Sequence, residues 1–122
     1  MAEERPTFPN AIYATYLTGK AGTTGALLVF QDGVIAGSDE GYSQYDGEYR
    51  LAPDHQNIVG SIKISIPAGV PTITGALSAE RPFTFDVPFQ FPIQLDPDTI
   101  YRIETPTGPV NAKFKKLRTL DV

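Results

Sequence analysis

Apolar and polar residues alternate along most of this chain with the period of two that is typical of β-strands. The clearest run covers residues 83–95, where apolar side chains take the odd positions and polar residues or prolines take the even ones. Residues 61–66 alternate in the same way, with three isoleucines on one face and Lys63 on the other. A helical period of 3.6 never extends beyond a few residues, so the pattern predicts an all-β protein.

Glycine- and proline-rich breaks separate the alternating stretches and define nine candidate strands. They cover residues 11–17, 26–31, 34–38, 45–51, 61–66, 72–77, 83–95, 99–104 and 110–117. Asp32-Gly33 predicts a two-residue type I′ hairpin, which pairs Gln31 with Val34 and Phe30 with Ile35. Sequential strands with short connections favour a single antiparallel up-and-down barrel of about eight strands, because closure removes exposed edges. We assign residues 1–10 to an N-terminal extension and 11–120 to the barrel domain.

The stretch 83–95 is too long for one straight strand, since it would reach roughly 40 Å. We therefore expect it to bend or break. Pro88 and Pro92 have the same parity, so both remove N–H donors from the same strand edge. We expect that edge to be unpaired and to form a seam in the barrel.

Composition limits the classes of function. The chain has 122 residues, which fits one domain. It has no cysteine, which fits a reducing compartment. Its net charge of −4 gives no support to nucleic acid as a partner. No apolar run approaches the ~20 residues that cross a bilayer, and the acidic N-terminus is unlike a secretory signal. We predict a cytoplasmic protein without a membrane or nucleic-acid partner.

Residues with catalytic potential are few. His55 is the only histidine and lies in a predicted turn, and Asp46 and Glu48 project from the polar face of a strand, where carboxylates are ordinarily solvated. Phosphate-binding, dinucleotide and nucleophile-elbow motifs are absent. We predict no catalytic residues, no metal, no cofactor and no enzymatic activity. Asp39 and Glu40 lie in a predicted loop and are candidates for contact with a basic partner.

The predicted Asp32-Gly33 hairpin is apolar on both faces. Ala26, Leu28, Phe30 and Ile35 form one face, and the face turned away from the core carries Leu27, Val29, Val34 and Ala36. An outer apolar face of this kind indicates a cover, which is either a homodimer or protein partner, or the N-terminal segment Thr7-Phe8-Pro9.

Residues 25–49 (GALLVFQDGVIAGSDEGYSQYDGEY) resemble the GrlR family, small bacterial negative regulators of type III secretion. The family pattern is matched at Gly25, Asp32, Gly33, Gly37, Asp39, Gly41, Tyr42, Tyr45, Gly47 and Tyr49. The resemblance implies a lipocalin-like eight-stranded barrel that forms dimers and binds a regulatory protein partner. The family's acidic Glu-Asp-Glu-Asp loop has no counterpart here, and Ser38 stands where the pattern has its second glycine.

Two functional hypotheses follow, and an enzyme ranks below both. The first is a non-catalytic regulator that acts through protein–protein interaction. The alternative is a carrier of a small apolar ligand or lipid in the barrel interior, which an eight-stranded barrel is just wide enough to hold. The many Phe, Tyr and Ile side chains predict a largely filled interior.

Overall fold

A computed structural model describes residues 10–75 and 81–120. These residues form eight β-strands in one antiparallel sheet that is nearly closed into a barrel. The strands are β1 (Ala11–Gly19), β2 (Gly22–Gln31), β3 (Val34–Asp39), β4 (Gln44–Leu51), β5 (Asn57–Ile66), β6 (Phe83–Pro92), β7 (Tyr101–Thr105) and β8 (Gly108–Thr119). The predicted all-β, lipocalin-like up-and-down barrel is confirmed.

Each strand pairs with its neighbour in sequence, and β1 pairs with β8 to complete the wall. The sheet ends at β6 and β7, which approach each other without forming a ladder. Pro88 and Pro92 lie within the β5–β6 ladder, opposite Ser61 and Asn57. Their missing N–H groups therefore belong to the edge that faces β7. The predicted seam is confirmed.

The hairpin between β2 and β3 forms as the sequence predicts. Asp32 has φ 50° and Gly33 has φ 85°, which are the two positive values that a type I′ turn requires. Gln31 is paired with Val34, and Phe30 is paired with Ile35. This register places Phe30 and Ile35 in the core and leaves Val34 exposed.

The predicted strand at 72–77 is wrong for its described residues. Residues 72–75 form a turn in which the Gly75 N–H donates to the Thr72 carbonyl oxygen at 3.1 Å. Gly75 adopts φ 94°, a value that a glycine accepts without steric cost and that ends an extended run. Residues 76 and 77 lie outside the described part of the chain.

An aromatic cluster fills the end of the barrel where the β2–β3 and β4–β5 turns lie. Tyr13 packs edge-on against Phe30, with ring centroids 5.3 Å apart, and also against Phe114 at 6.3 Å. Phe91 contacts Phe114 at 5.3 Å from across the seam. Edge-to-face packing of this kind adds to the stabilisation from burial alone. We call this end the base of the barrel.

Residues 67–75, which we call the strap, follow the C-terminal end of β5. They run across the end of the barrel opposite the aromatic base, which we call the mouth. The Ile73 carbonyl oxygen accepts a hydrogen bond of 2.6 Å from Ala21 N–H, in the turn between β1 and β2. Since β1 and β5 are four strands apart in a wall of eight, the strap spans the width of the barrel mouth.

Candidate functional site: a cavity inside the barrel

Between the aromatic base and the strap lies a cavity of about 250 Å³. Its floor includes Phe114 and Phe91 from the base, and Val70 and Ile73 of the strap line its upper side. The prediction of a largely filled interior therefore holds for the basal half of the barrel and is wrong for the upper half. The rings of Tyr13, Phe30 and Phe114 pack against one another at the base, whereas threonines are among the residues that line the upper half.

The cavity wall is predominantly apolar because the alternation of the strands turns their apolar positions inward. The β5–β6 side contributes isoleucines, phenylalanines and a valine, and β1 and β2 contribute leucines. The apolar wall residues on these strands are Leu17, Leu28, Phe30, Ile62, Ile64, Ile66, Phe85, Val87, Phe89 and Phe91. Such a wall favours an apolar occupant, with polar groups restricted to a few points.

Hydroxyl groups hold the strap over the mouth. Thr72 and Thr74 share a hydrogen bond of 2.9 Å, and Thr74 shares one of 2.7 Å with Thr107 in the β7–β8 turn. Thr107 lies 3.3 Å from Thr105, whose hydroxyl donates to the carbonyl oxygen of Gly108 at 2.6 Å. This chain of threonines, together with the Ala21–Ile73 bond, anchors the strap on the far side of the barrel.

Gly19 makes room for the strap. A Cβ atom at this position would lie 2.5 Å from the Ile73 carbonyl oxygen. At Gly22, on the other side of the same turn, a Cβ would meet nothing within 4 Å. The close approach between β1 and the strap therefore depends on the missing side chain of Gly19.

Asp39 organises the β3–β4 turn at the cavity rim. Its Oδ1 accepts hydrogen bonds from the backbone N–H groups of Gly41 and Ser43 at 2.9 and 3.0 Å. Its Oδ2 accepts a bond of 2.7 Å from the hydroxyl of Tyr45. Burial of the Tyr45 phenol, followed by the nearby Asp39 carboxylate, raises the pKa of Tyr45 well above its usual value.

The acidic pair that sequence analysis selected for contact with a basic partner is used within the fold. Asp39 makes the three bonds described above, and Glu40 Oε1 accepts from Gly25 N–H at 2.8 Å. Glu40 N–H in turn donates to the Gly25 carbonyl oxygen at 3.1 Å. A contact with a basic partner stays a prediction, and it would compete with these internal bonds.

The residues of the GrlR-like pattern form one structural unit around β2, β3 and β4. Gly37 and Gly47 lie where strands approach closely: a Cβ on Gly37 would collide with the Leu27 carbonyl oxygen, and one on Gly47 would lie 2.6 Å from that of Ser61. Tyr49 is buried, and its hydroxyl donates to Asn10 Oδ1 at 3.0 Å. Tyr42 differs from the rest, since it is exposed on the turn with φ 67°.

The predicted outer apolar face is also present, on the side of the wall away from the cavity. Leu27 and Val34 are 50% and 57% exposed, Ala36 is exposed and Val29 is partly buried. The pairing of β1 with β2 extends the face, because Ile12 lies opposite Val29 and Ala14 opposite Leu27. We call this set the outer face: Ile12, Ala14, Tyr16, Leu27, Val29, Val34 and Ala36.

Thr15 and the strap were not predicted from the sequence. Thr15 occupies an inward position of β1 between Tyr13 and Leu17, both of which are buried. A polar residue at a strand position where alternation predicts a buried apolar side chain could have identified Thr15 from the sequence. The strap carried no such signal, because only the barrel brings residues 67–75 over the turn at Ala21.

In residues 10–75 and 81–120, no three His, Cys, Asp or Glu side chains gather closely enough to hold a metal ion. Over the same ranges, no helix is long and apolar enough to cross a membrane.

Fold and cavity together define the class: an all-β antiparallel barrel with an apolar chamber closed at one end by aromatic residues. The chain matches no protein-family model and no curated protein sequence.

Proposed function

We propose that this protein is a non-catalytic binding protein that holds one small apolar molecule in the upper half of its barrel. The observation that supports the proposal is the cavity of about 250 Å³ with its apolar wall. Protein interiors are normally packed as densely as organic crystals, so a chamber of this size leaves many apolar atoms without neighbours. A bound apolar molecule would restore those contacts.

The architecture around the cavity suits this role. The aromatic base closes one end, and the strap crosses the mouth, where it bonds to the wall at Ala21 and Thr107. Movement of the strap would admit a ligand without disturbing the sheet, because these bonds lie outside the strand ladders. Loop segments held by few bonds open at much lower free-energy cost than the core.

Native mass spectrometry of the purified protein, combined with titration by p-xylene, tests the proposal. We expect p-xylene to raise the melting temperature and to shift NMR resonances of residues such as Ile64 and Val87. Ile64→Trp, which fills the cavity, should abolish both effects. Leu27→Trp, on the outside of the barrel, is the matched control and should leave them unchanged. If neither p-xylene nor any co-purified molecule occupies the cavity, the proposal fails.

A second candidate function is assembly with another protein through the outer face, and we propose a second copy of this chain as the occupant. The exposure of Leu27 and Val34 favours such a contact, since contiguous exposed apolar side chains often mark protein interfaces. The N-terminal segment Thr7-Phe8-Pro9, an alternative cover, lies outside the described residues.

Charge on the two sides of the outer face supports a self-complementary contact. On the β8 side, Lys115 lies opposite Ala14 and Arg118 opposite Ile12. On the β4 side, Asp46 lies opposite Ala36. A two-fold axis parallel to the strands would place the basic side of one copy over the acidic side of the other. In an isologous interface of this kind, the basic side of each copy faces the acidic side of the other, so the favourable charge pairing occurs twice.

Sedimentation velocity tests the second candidate. We expect a dimer that Leu27→Asp converts to a folded monomer, whereas Ile100→Asp, at an exposed site on the β6–β7 connection outside the defined face and its charged sides, leaves it intact. A monomer at all concentrations would reject the assembly and leave the cavity proposal untouched. Regulation of a protein partner in the manner of the GrlR family, and a cytoplasmic location, stay predictions based on the sequence.

A further inference from the structure

The hydroxyl of Thr15 faces the floor of the cavity. Thr15 is 1% exposed, and its side-chain oxygen has no hydrogen-bond partner within the described part of the chain. Its backbone lies opposite Ala26 on one side and Phe114 on the other, neither of which offers a side-chain donor or acceptor. The group is therefore a buried polar atom at the edge of an apolar chamber.

A hydroxyl in this position is unfavourable for folding alone. Native proteins leave few buried polar groups unpaired, because a group removed from water loses its hydrogen bonds there. Valine has nearly the same shape and a high preference for strands, so it would satisfy the packing at position 15 without this cost. The hydroxyl is explained if a molecule in the cavity bonds to it.

The threonines at the mouth differ from Thr15 because their hydroxyls have hydrogen-bond partners within the protein. Thr74 and Thr107 bond to each other, and Thr105 bonds to the carbonyl oxygen of Gly108. Their hydroxyls already serve the strap and the β7–β8 turn. Thr15 is the deep polar point against which a ligand could be oriented.

The electrostatics of the wall select the charge of the ligand. Asp39 is the sole Asp, Glu, Lys, Arg or His residue among the described residues that line the cavity. An anionic ligand would meet this carboxylate and find no cation to compensate its own burial. A cationic ligand would find both Asp39 oxygens already accepting bonds from Gly41, Ser43 and Tyr45. The wall therefore favours a neutral molecule.

The volume of the cavity limits the size of the ligand. An apolar protein cavity of about 150 Å³ accommodates benzene, which has six non-hydrogen atoms. By proportion, a cavity of 250 Å³ accommodates about ten such atoms.

We propose that the ligand is a neutral amphiphile of medium chain length, with one hydrogen-bonding group such as a hydroxyl or carbonyl that meets the Thr15 hydroxyl at the cavity floor. This inference rests on the proposed function and specifies the chemistry of the same site. Thr15 is then a specificity-determining residue, and the apolar chain of the ligand points toward the strap.

The test compares three probes on the full-length protein by isothermal titration calorimetry: 1-nonanol, n-nonane and nonanoate at neutral pH. We expect nonanol to bind more tightly than nonanoate. Thr15→Val should weaken nonanol binding by about five- to tenfold, the effect of losing one hydrogen bond, and should leave nonane binding unchanged. Thr15→Ser, which keeps the hydroxyl, should retain most of the nonanol affinity. Thr84→Val, which removes the hydroxyl of an exposed threonine on β6 outside the cavity wall, is the control and should bind nonanol as the wild type does.

The melting temperature of the free protein gives a second readout, and we expect Thr15→Val to raise it. A lower melting temperature together with unchanged nonanol affinity would assign the hydroxyl a structural role and overturn the inference. Equal or tighter binding of nonanoate would overturn the neutral character of the ligand. Binding of neither nonane nor nonanol would instead reject the cavity as a binding site, so the two failures are distinguishable.

Discussion

The phenol of Tyr45 donates a hydrogen bond of 2.7 Å to Oδ2 of Asp39 and so links the interior of β4 to the turn at the barrel mouth. Asp39 also accepts the N–H groups of Gly41 and Ser43, so one carboxylate fixes both the turn and the ring. The contact joins two residues of the GrlR-like pattern in this chain. Because this phenol is buried, we expect the stability of the barrel to depend on pH in the alkaline range.

We predict that the free energy of unfolding falls between pH 10 and 12. Burial, with a smaller contribution from Tyr49, raises the pKa of Tyr13 to about 12, and burial and Asp39 raise that of Tyr45. A tyrosine keeps its proton in the folded protein after the unfolded chain has released it near pH 10. Its stabilising contribution is thus complete below pH 10 and is lost as the pH rises, by up to about 1.4 kcal/mol per pH unit for each group.

Urea unfolding at pH 9, 10.5 and 11.5 measures this slope. Tyr45→Phe should reduce the dependence of the free energy of unfolding on pH by the contribution of one tyrosine. At neutral pH the same change should lower the free energy of unfolding by about 1.5–3 kcal/mol, as expected for a hydrogen bond to a charged group. An identical slope in wild type and Tyr45→Phe would contradict the assignment.

Gly37→Ala should destabilise the barrel. The added methyl group would collide with the Leu27 carbonyl oxygen and lie 2.6 Å from a methyl group of Leu28. Overpacking in a well-packed interior costs about 1–3 kcal/mol, and the backbone on one side leaves little room for relaxation. Gly22→Ala is the control, since its Cβ would meet nothing within 4 Å. Thermal or urea unfolding should show that Gly37→Ala is much less stable than Gly22→Ala. Equal stabilities of the two variants would argue against the close approach of β2 and β3.

Gly19→Ala should loosen the strap and accelerate ligand exchange. Its methyl group would press on the Ile73 carbonyl oxygen, which accepts the Ala21 hydrogen bond. Loss of one such bond should raise the exchange rate of p-xylene by about fivefold, measured by NMR line shapes. Gly22→Ala, on the other side of the turn, should exchange at the wild-type rate. Equal rates in all three proteins would mean that the strap does not control entry.

Charge reversal should test the dimer geometry independently of its apolar centre. We expect Asp46→Arg and Arg118→Glu each to weaken the dimer, because each places like charges over each other, and the double variant to recover part of the affinity. Asp98→Lys, a reversal on the β6–β7 connection, controls for the change in net charge. Sedimentation at low and high salt should show the largest differences at low salt, where screening is weakest. If both single variants dimerise like the wild type, the two-fold axis along the strands is wrong.

The sequence by itself determined the inward and outward faces of most strands and one hairpin of the sheet. Alternation in residues 83–95 fixed which side chains face inward, and Asp32-Gly33 fixed one hairpin and its register. Pro88 and Pro92 indicated the edge left without a partner. These features are local, because strand periodicity and turn conformation depend on residues adjacent in the chain.

The cavity, the strap and the isolation of Thr15 were decided by the tertiary structure. The free space in the upper half is the difference between the volume that eight strands enclose and the volume of the side chains they bring there. No single segment carries that difference. In the same way, residues 67–75 cross the mouth only because closure of the wall brings Ala21 and Thr107 within hydrogen-bond reach of Ile73 and Thr74.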